Sequence, residues 1–374
     1  MSTIKLENII KEFGKIRALD GINIEIGNGE FFVLYGPAGA GKTTMLKIIA
    51  GLEDPTKGHV SFDGQIVDGV IAAKRNIAMV FENYALYPNL TVFDNIASPL
   101  RSKVYKRDEK YIRSRVLDIA SLLGLENFLE RKPNQLSNGQ KQRVALGRSL
   151  VRENPNAFLL DEPIAHLDAK LRNRMRTEFK SLKKVFHSTV AYVTHDYEEA
   201  VVLGDRMAII NHGKIVQVGT PDEIYYSPVN SLVAKLVGEP EINFIVGEVF
   251  SNKNRFYIRL FDQLYDLIGE KENYNLVGNK VTVGIRGENI ELSFEPKEDY
   301  IKGYCYDNVI SGNYSVLTIK VGNEFLRKKV PIDISIKIDE QIFFRVDWEN
   351  ILLFNEEGEC LGKNLIAKRD ENHV

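Results

Sequence analysis

Apolar and polar residues alternate along the first 240 residues in a pattern of short strands and longer helices. The short apolar runs typical of buried strands are Phe31–Tyr35, 158–160 and Val190–Thr194. The segments with the apolar spacing of helices are 44–52, 92–130 and 140–153. Short buried strands that alternate with helices predict an α/β domain built on a parallel sheet.

The pattern changes after the segment Gly238-Glu239-Pro240. Beyond it, Gly, Asn and Asp separate short runs of β-branched and aromatic residues, such as Arg255–Leu260, Lys280–Ile285 and Tyr314–Val321. This spacing predicts a small all-β domain of the barrel kind. We therefore expect domains at residues 1–240 and 241–374, with a helical subdomain at about 88–155 inside the first.

Composition narrows the range of functions. The 374 residues carry 49 Lys and Arg against 51 Asp and Glu, a formal net charge of -2 that gives no reason to expect a nucleic-acid partner. The N-terminal segment carries charges throughout, unlike a signal peptide, and no window approaches the roughly 18 apolar residues that cross a bilayer. If the protein works at a membrane, we expect other chains to span it.

A glycine-rich loop between the first apolar run and the following helix matches G-x-x-x-x-G-K-[ST] at every fixed position. Its residues are Gly36, Pro37, Ala38, Gly39, Ala40, Gly41, Lys42, Thr43 and Thr44. Glycines let backbone N–H groups turn around a phosphate, and the helix directs its positive end at the anion. Lys42 suits the β and γ phosphates, and the Thr43 hydroxyl suits Mg²⁺. A glycine-rich turn without a ligand is the alternative, which the complete match in context disfavours.

Two carboxylates end the apolar run 158–160. Asp161 is placed to hold Mg²⁺, and Glu162 to orient or deprotonate an attacking water. An Asp-Glu pair that only caps a helix before Pro163 is the alternative. The upstream phosphate loop favours the catalytic interpretation.

The order of the remaining motifs resembles that of the ABC ATPases. Leu136-Ser137-Asn138-Gly139-Gln140 resembles the LSGGQ signature, 164–168 resembles the D-loop, and Thr194-His195-Asp196 resembles the switch-histidine segment. The resemblance covers residues 1 to about 240 and implies the P-loop ABC ATPase fold with ATP and Mg²⁺ as cofactors.

In that family two ATP molecules are sandwiched in a head-to-tail dimer. The resemblance implies that Ser137, Gly139 and Gln140 bind the nucleotide of the opposite subunit, and that His195 contacts the γ-phosphate. It also implies that Phe13 stacks on adenine. A lone histidine is more often structural, but the motif reverses that expectation for His195.

A narrower resemblance connects the chain to the maltose-type importer ATPases. Residues 78–92, the sequence Asp-Ala-Lys-Leu-Arg at 168–172 and the segment 284–290 carry it; the last resembles that group's transport-associated OB domain. It implies a peripheral motor on the cytoplasmic face of the cell membrane. Expected partners are permease subunits, with a solute-binding protein indirectly, and a homodimer is favoured over a heterodimer.

Three residues depart from the family pattern. Glu82 replaces the Q-loop glutamine and offers Mg²⁺ a carboxylate oxygen, while adding negative charge near the triphosphate. Asn138 replaces the first signature glycine, and asparagine tolerates unusual backbone angles. Gly287 stands where the maltose-type group often has proline.

Several functions remain open at this point. A sugar importer is favoured, and a polyamine, iron or other inorganic-ion importer is the alternative, since importer specificity lies in other subunits. A soluble ABC protein acting on ribosomes or DNA is disfavoured by the single P-loop, the absence of a long heptad run and the balanced charge. A third hypothesis is a non-transport regulator whose C-terminal β domain binds a metabolite or a transcription factor, a role that could coexist with import.

Overall fold

The computed structural model describes residues 2–102, 105–165, 167, 169–186, 189–252, 255–268 and 276–368. The chain divides into two compact units, Met1–Pro221 and Asp222–Val374. Residues 222–240, which the sequence assigned to the nucleotide-binding domain, group with the second unit in this division. Across the described residues, the helices are too short or too polar to cross a membrane.

The first unit is an α/β assembly. Its strands are β1 (Ile4–Phe13), β2 (Ile16–Ile26), β3 (Phe31–Tyr35), β4 (Lys57–Phe62), β5 (Gln65–Ile66), β6 (Ile77–Val80), β7 (Ala157–Asp161), β8 (Val190–Thr194), β9 (Arg206–Asn211) and β10 (Lys214–Gly219). Its helices are α1 (Lys42–Ala50), α2 (Val92–Ala97), α3 (Glu109–Leu123), α4 (Asn138–Leu150), α5 (Ala169–Phe186) and α6 (Tyr197–Leu203). These elements confirm the predicted α/β class.

The central sheet has the strand order β10-β9-β3-β8-β7-β6 among the described residues. The strands β9, β3, β8, β7 and β6 pair in parallel, and β10 adds an antiparallel edge. All side chains of β3, β7 and β8 are buried, as expected for parallel strands covered on both faces. Parallel pairing brings the carboxyl ends of β3, β6, β7 and β8 to one edge of the sheet.

A second, antiparallel sheet has the order β2-β1-β4-β5. The helix α1 packs its apolar side chains into one core with both sheets, and these side chains include Met45, Leu46 and Ile49. Each is fully buried, which contributes about 1.5–3 kcal/mol per side chain. The core therefore fixes the start of α1, where the phosphate loop ends.

The helices α2, α3 and α4 occupy the range predicted for a helical subdomain. Thr91, Asp108 and Ser137 cap their N-termini, each accepting a hydrogen bond from a backbone N–H three residues later. Gly147 permits close packing of α4, because a Cβ there would lie 3.1–3.2 Å from side chains of Leu123, Ile119 and Ile96. The packing holds α4 against α2 and α3.

The second unit is all-β from Asn243 onward. Its elements are α7 (Pro221–Tyr226, beginning on the last residue of the first unit), α8 (Ser231–Leu236), β11 (Asn243–Asn252), β12 (Arg255–Leu260), β13 (Gln263–Leu267), β14 (Lys280–Ile285), β15 (Ile290–Ser293), β16 (Ile301–Ser311), β17 (Tyr314–Val321), β18 (Glu324–Pro331), β19 (Gln341–Val346), β20 (Leu352–Phe354), β21 (Cys360–Lys363) and β22 (Ile366–Lys368).

These strands form two antiparallel sheets, β21-β20-β14-β11-β12-β13-β22 and β15-β19-β16-β17-β18, among the described residues. One apolar core lies between them and includes Ile258, Val283, Leu317 and Phe344. The arrangement confirms the predicted all-β C-terminal region and is consistent with an OB-type domain.

Arg286 ties the start of this unit to the β-sheets. Its side chain is buried, lies 3.6 Å from the ring centroid of Tyr225, and donates hydrogen bonds to the carbonyls of Val237 (2.7 Å) and Tyr225 (2.8 Å). A guanidinium supplies a planar fork of donors that no other side chain matches. Arg286 thereby satisfies two carbonyls of the segment that precedes the strands.

Replacing Arg286 with methionine should lower the free energy of unfolding of the second unit by about 2–4 kcal/mol, because two carbonyls lose a charged donor. Trp348 is the single tryptophan and lies in this unit, so urea unfolding followed by its fluorescence measures the change. Arg255→Met, at an exposed position in β12, is the matched control and should change little. Equal destabilisation by both variants would contradict the role of Arg286.

Candidate active site

The phosphate loop connects β3 to α1. Gly39 and Gly41 have left-handed φ values of 76° and 106°, where glycine is strongly favoured. At Gly36 a Cβ would lie 2.1 Å from the carbonyl oxygen of Ile210, so β9 approaches too closely for any side chain. Pro37, Ala38 and Gly39 are exposed at the tip. The glycines therefore permit the tight loop conformation that phosphate binding requires, and the tip of the loop is accessible.

Lys42 lies inside this loop. Its side chain is buried, and Nζ donates hydrogen bonds to the carbonyls of Gly36 (2.8 Å) and Pro37 (2.9 Å). Burial lowers the pKa of Lys42, while the negative charges of Glu162, Asp161 and Glu82 act in the opposite direction. Two carbonyl oxygens therefore hold the Lys42 ammonium group. A polyphosphate would offer the same group full negative charges.

The Thr43 hydroxyl donates a hydrogen bond of 3.1 Å to Oδ1 of Asp161, the last residue of β7. Burial, helped by the charges of Glu82 and Glu162, raises the pKa of Asp161 from 3.8 to about 6 against the opposing effects of the Thr43 hydrogen bond and the Lys42 charge. A carboxylate whose negative charge is not balanced, next to a hydroxyl, offers the hard oxygen ligands that Mg²⁺ prefers. Thr43 and Asp161 of the predicted metal set are therefore in contact, whereas the exposed Glu82 acts on Asp161 through its charge.

Glu162 and His195 meet at the same edge of the sheet. The Nδ1 atom of His195 lies 3.0 Å from Oε1 of Glu162, and Glu162 adopts a left-handed φ of 46°. Its backbone N–H donates to the Val193 carbonyl at 3.1 Å, which fixes the turn after β7. An ionised carboxylate only accepts, so this contact places the proton on Nδ1 and leaves Nε2 available on an exposed ring.

The signature begins α4. The Gln140 N–H donates to the Ser137 hydroxyl (3.3 Å), and the Ser137 N–H donates to the Gln140 side chain (2.9 Å), a complete capping box. Asn138 is the first helical residue and has no left-handed φ, so the unusual backbone angle considered for it is not used. The N–H group of Gly139 lies in the first turn of this helix, where the helix dipole favours negative charge.

Phe13 ends β1 and leaves 45% of its surface exposed, with Nζ of Lys11 4.8 Å from the ring centroid. An exposed ring of this size is available for stacking. In the D-loop, Leu167 is buried, whereas His166 and Asp168 lie outside the described residues.

Most residues of this site lie in a segment that matches a known family, and of the predicted site residues only Phe13 and His195 lie outside it. Residues 19–165 match the model of the ABC transporter family. The chain is 45% identical over 300 residues to the trehalose/maltose import ATP-binding protein MalK of Thermococcus litoralis, covering 78% of this chain and 79% of that protein. This chain belongs to the ABC transporter ATP-binding family. Membership confirms the resemblance and the predicted ATPase class.

One further relative covers more of the length of this ATPase. An sn-glycerol-3-phosphate import ATP-binding protein UgpC of Rhizobium johnstonii is 37% identical over 363 residues, covering 94% of this chain and 96% of that protein. Among solved structures, a dimeric post-hydrolysis ATP-binding cassette bound to ADP and Pi has 34% identity and a TM-score of 0.54. It covers 58% of this chain and 98% of that cassette.

Sequence reasoning missed two residues of α4 that support the site. Gln142 is buried, and its amide donates a 3.0 Å hydrogen bond to the carbonyl of Glu162. Arg148 donates to the carbonyls of Ala85 (2.6 Å) and Tyr84 (3.0 Å), both of which have left-handed φ values. Gln142 follows the signature by two residues, but nothing in its position predicted a contact 20 residues away.

The ionisation of Asp161 should make the nucleotide-free ATPase less stable as the pH rises. The pKa is higher in the folded chain than the ordinary value of 3.8. The folded chain thus binds the proton more tightly, and stability is lost between pH 3.8 and about 6. The limiting effect is about 3 kcal/mol.

Asp161→Asn removes this pH dependence. The free energy of unfolding of the variant minus that of wild type should therefore increase by about 1 kcal/mol from about pH 5 to about pH 8. Urea unfolding monitored by helical circular dichroism in the presence of a chelator measures it. Asp118→Asn, an exposed residue of α3, is the control that should show no such change. A constant difference for Asp161→Asn across this range would refute the raised pKa.

Proposed function

We propose that this ATPase is the motor subunit of an ABC importer and hydrolyses MgATP in a head-to-tail dimer. The observation that carries the proposal is the pair Glu162–His195, joined at 3.0 Å next to the Thr43–Asp161 pair. A general base, a hydrogen-bond donor for developing charge and a set of hard oxygen donors are the groups that phosphoryl transfer to water needs.

Each predicted residue has a role in this reaction. Glu162 accepts a proton from water as the water oxygen bonds to the γ-phosphorus, and the bond from that phosphorus to the bridging oxygen of ADP breaks. Lys42 and the loop residues bind the β and γ phosphates, and His195 donates a hydrogen bond from Nε2–H to the γ-phosphate when both of its ring nitrogens carry protons. Phe13 stacks on adenine.

Thr43, Asp161 and Glu82 would hold Mg²⁺, with Thr43 and Asp161 already in contact. When bound, Mg²⁺ neutralises phosphate charge. The Asp161 carboxylate and the Thr43 hydroxyl stay in place without it, because their hydrogen bond and the buried end of β7 position them.

The second nucleotide contact comes from another copy of the cassette. Ser137, Gly139 and Gln140 at the start of α4 bind the phosphates held by the partner's loop. The dimeric cassette bound to ADP and Pi supports this arrangement. We favour a homodimer, and a heterodimer with a second ATPase is the alternative.

A cleft in the first unit supports docking of a permease subunit. It has a volume of about 540 Å³, and Phe81, Ala85, Tyr87 and Pro99 line it together with Arg148. Tyr87 is half exposed, so the cleft offers an aromatic side chain to a partner. Such docking locates the ATPase at the cytoplasmic face of the membrane. The solute-binding protein then acts on it only through the permease.

The transported solute is most simply a sugar. The trehalose/maltose import protein of Thermococcus litoralis supports this, and the sn-glycerol-3-phosphate import proteins indicate a closely similar motor for another hydroxylated solute. Because importer specificity lies in other subunits, uptake assays with the cognate permease decide it.

Glu162→Gln should reduce MgATP hydrolysis about 10²–10⁴-fold while ATP binding persists, because the amide cannot accept the proton. The hydrolysis rate is measured over a range of protein concentrations. The wild-type rate should increase faster than linearly with protein concentration as dimers form. Glu126→Gln, exposed in the helical region, is the control. A Glu162→Gln rate within a few-fold of wild type would exclude Glu162 as the base. ATP binding without wild-type hydrolysis would indicate a motor that needs its permease or a second ATPase.

Glu82→Gln should change the Mg²⁺ concentration that gives half-maximal hydrolysis by up to about tenfold, the equivalent of ~1.4 kcal/mol. The reason is that the Glu82 charge acts on both Asp161 and Lys42. Restoring glutamine should also raise the maximal rate, because a negative charge near the triphosphate is removed. Equal rates for both proteins at every Mg²⁺ concentration would refute this effect.

A further inference from the structure

The second unit contains a cavity that the ATP site does not use. Its volume is about 1380 Å³, and its lining comes from the β12–β13 turn, β13, the segment around β15, the approach to β16, and the end of β19 with the turn after it. Ligand sites commonly have volumes of about 300–1,000 Å³. This cavity has room for an extended small molecule.

Two aromatic rings line the cavity. The ring centroids of Tyr265 and Trp348 are 4.3 Å apart with an interplanar angle of 47°. Tyr265 is buried and its hydroxyl donates to Gln263, while Trp348 is only partly buried and packs against the core of the unit. A fixed aromatic pair with one accessible member attracts cations through the ring face and methylene groups by contact.

The charge of the lining is strongly negative. Its carboxylates are Asp262, Glu288, Glu291, Asp299, Asp347 and Glu349. Arg345 is the one cationic side chain among the lining residues that the structure describes, and it is engaged with Glu291 at 2.5 Å. Lys297 lies nearby, with its Nζ 5.3 Å from the Tyr300 ring centroid. Six carboxylates against one guanidinium exclude an anionic ligand.

Some of these carboxylates have structural roles. Asp347 accepts hydrogen bonds from the Glu349 N–H (3.2 Å) and the Asn350 side chain (2.9 Å), and Glu288 accepts one from Tyr225. Asp262 and Glu349, in contrast, are exposed and come from different turns. Their carboxylates are the ones best placed to meet a ligand.

We propose that this cavity binds a linear organic polycation of the polyamine class. Ammonium groups separated by methylene chains match carboxylates that come from separate turns, while the methylenes lie along Trp348, which Tyr265 supports from behind. A neutral sugar would leave the carboxylates uncompensated. A bare metal ion needs three or more ligands in one cluster, and the described part of the chain contains no such group of His, Cys, Asp and Glu.

Spermidine, titrated into the full chain, tests the proposal. Trp348 is the single tryptophan, so its fluorescence reports occupancy of the cavity directly, and calorimetry gives the stoichiometry. We expect saturable binding of one spermidine per chain. The double variant Asp262→Asn/Glu349→Gln should raise the Kd at least tenfold at physiological salt.

The matched control is Asp333→Asn/Glu357→Gln, which removes two exposed carboxylates of the same unit outside the cavity. It should leave the Kd within about twofold, and far-UV circular dichroism checks that both double variants are folded. Equal weakening by the two doubles would overturn the site, because it would reveal only general attraction to an acidic surface. Failure to saturate at millimolar spermidine, or displacement by Mg²⁺ at equal ionic strength, would overturn it as well.

Discussion

The parallel pairing of β3, β8 and β7 is the constraint on which the site depends. Tyr35 pairs with Thr194, and Asp161 pairs with Val193. Neighbouring strands lie about 4.7–4.9 Å apart, so the phosphate loop, the Asp161–Glu162 pair and His195 must emerge side by side. The hydrogen bonds Thr43–Asp161 and His195–Glu162 are consequences of that register. A shift of one residue in β7 would turn Asp161 away from Thr43.

Lys42 and Asp161 are buried groups of opposite charge in the candidate active site. Burial lowers the pKa of Lys42 and raises that of Asp161, since a low-dielectric environment disfavours both charged forms. The two groups do not neutralise each other fully, because each is held by other atoms. A polyphosphate brings negative charge to Lys42, and a divalent cation brings positive charge to Asp161. The substrate and the metal ion would therefore together supply the opposite charges that stabilise the ionised forms of Lys42 and Asp161.

The helix α4 links three parts of the catalytic apparatus. Its first turn presents the signature, Gln142 holds the carbonyl of Glu162, and Arg148 holds the carbonyls of Tyr84 and Ala85. Because a helix is stiff, α4 connects the signature, Glu162 and the segment that lines the cleft. Under the proposed function, it would be a physical route between ATP binding in the dimer and a docked permease.

The sequence by itself determined the features that local chemistry specifies. The glycine-rich loop, Asp161 and Glu162 at the end of an apolar run, and the switch to short β-branched runs after residue 240 depend on backbone angles and on periodicity within a few residues. Only the tertiary structure decided which distant groups meet. Examples are Gln142 with Glu162, Arg286 with Val237, and a cavity whose carboxylates come from separate turns. Those contacts depend on packing across tens of residues, which no short pattern encodes.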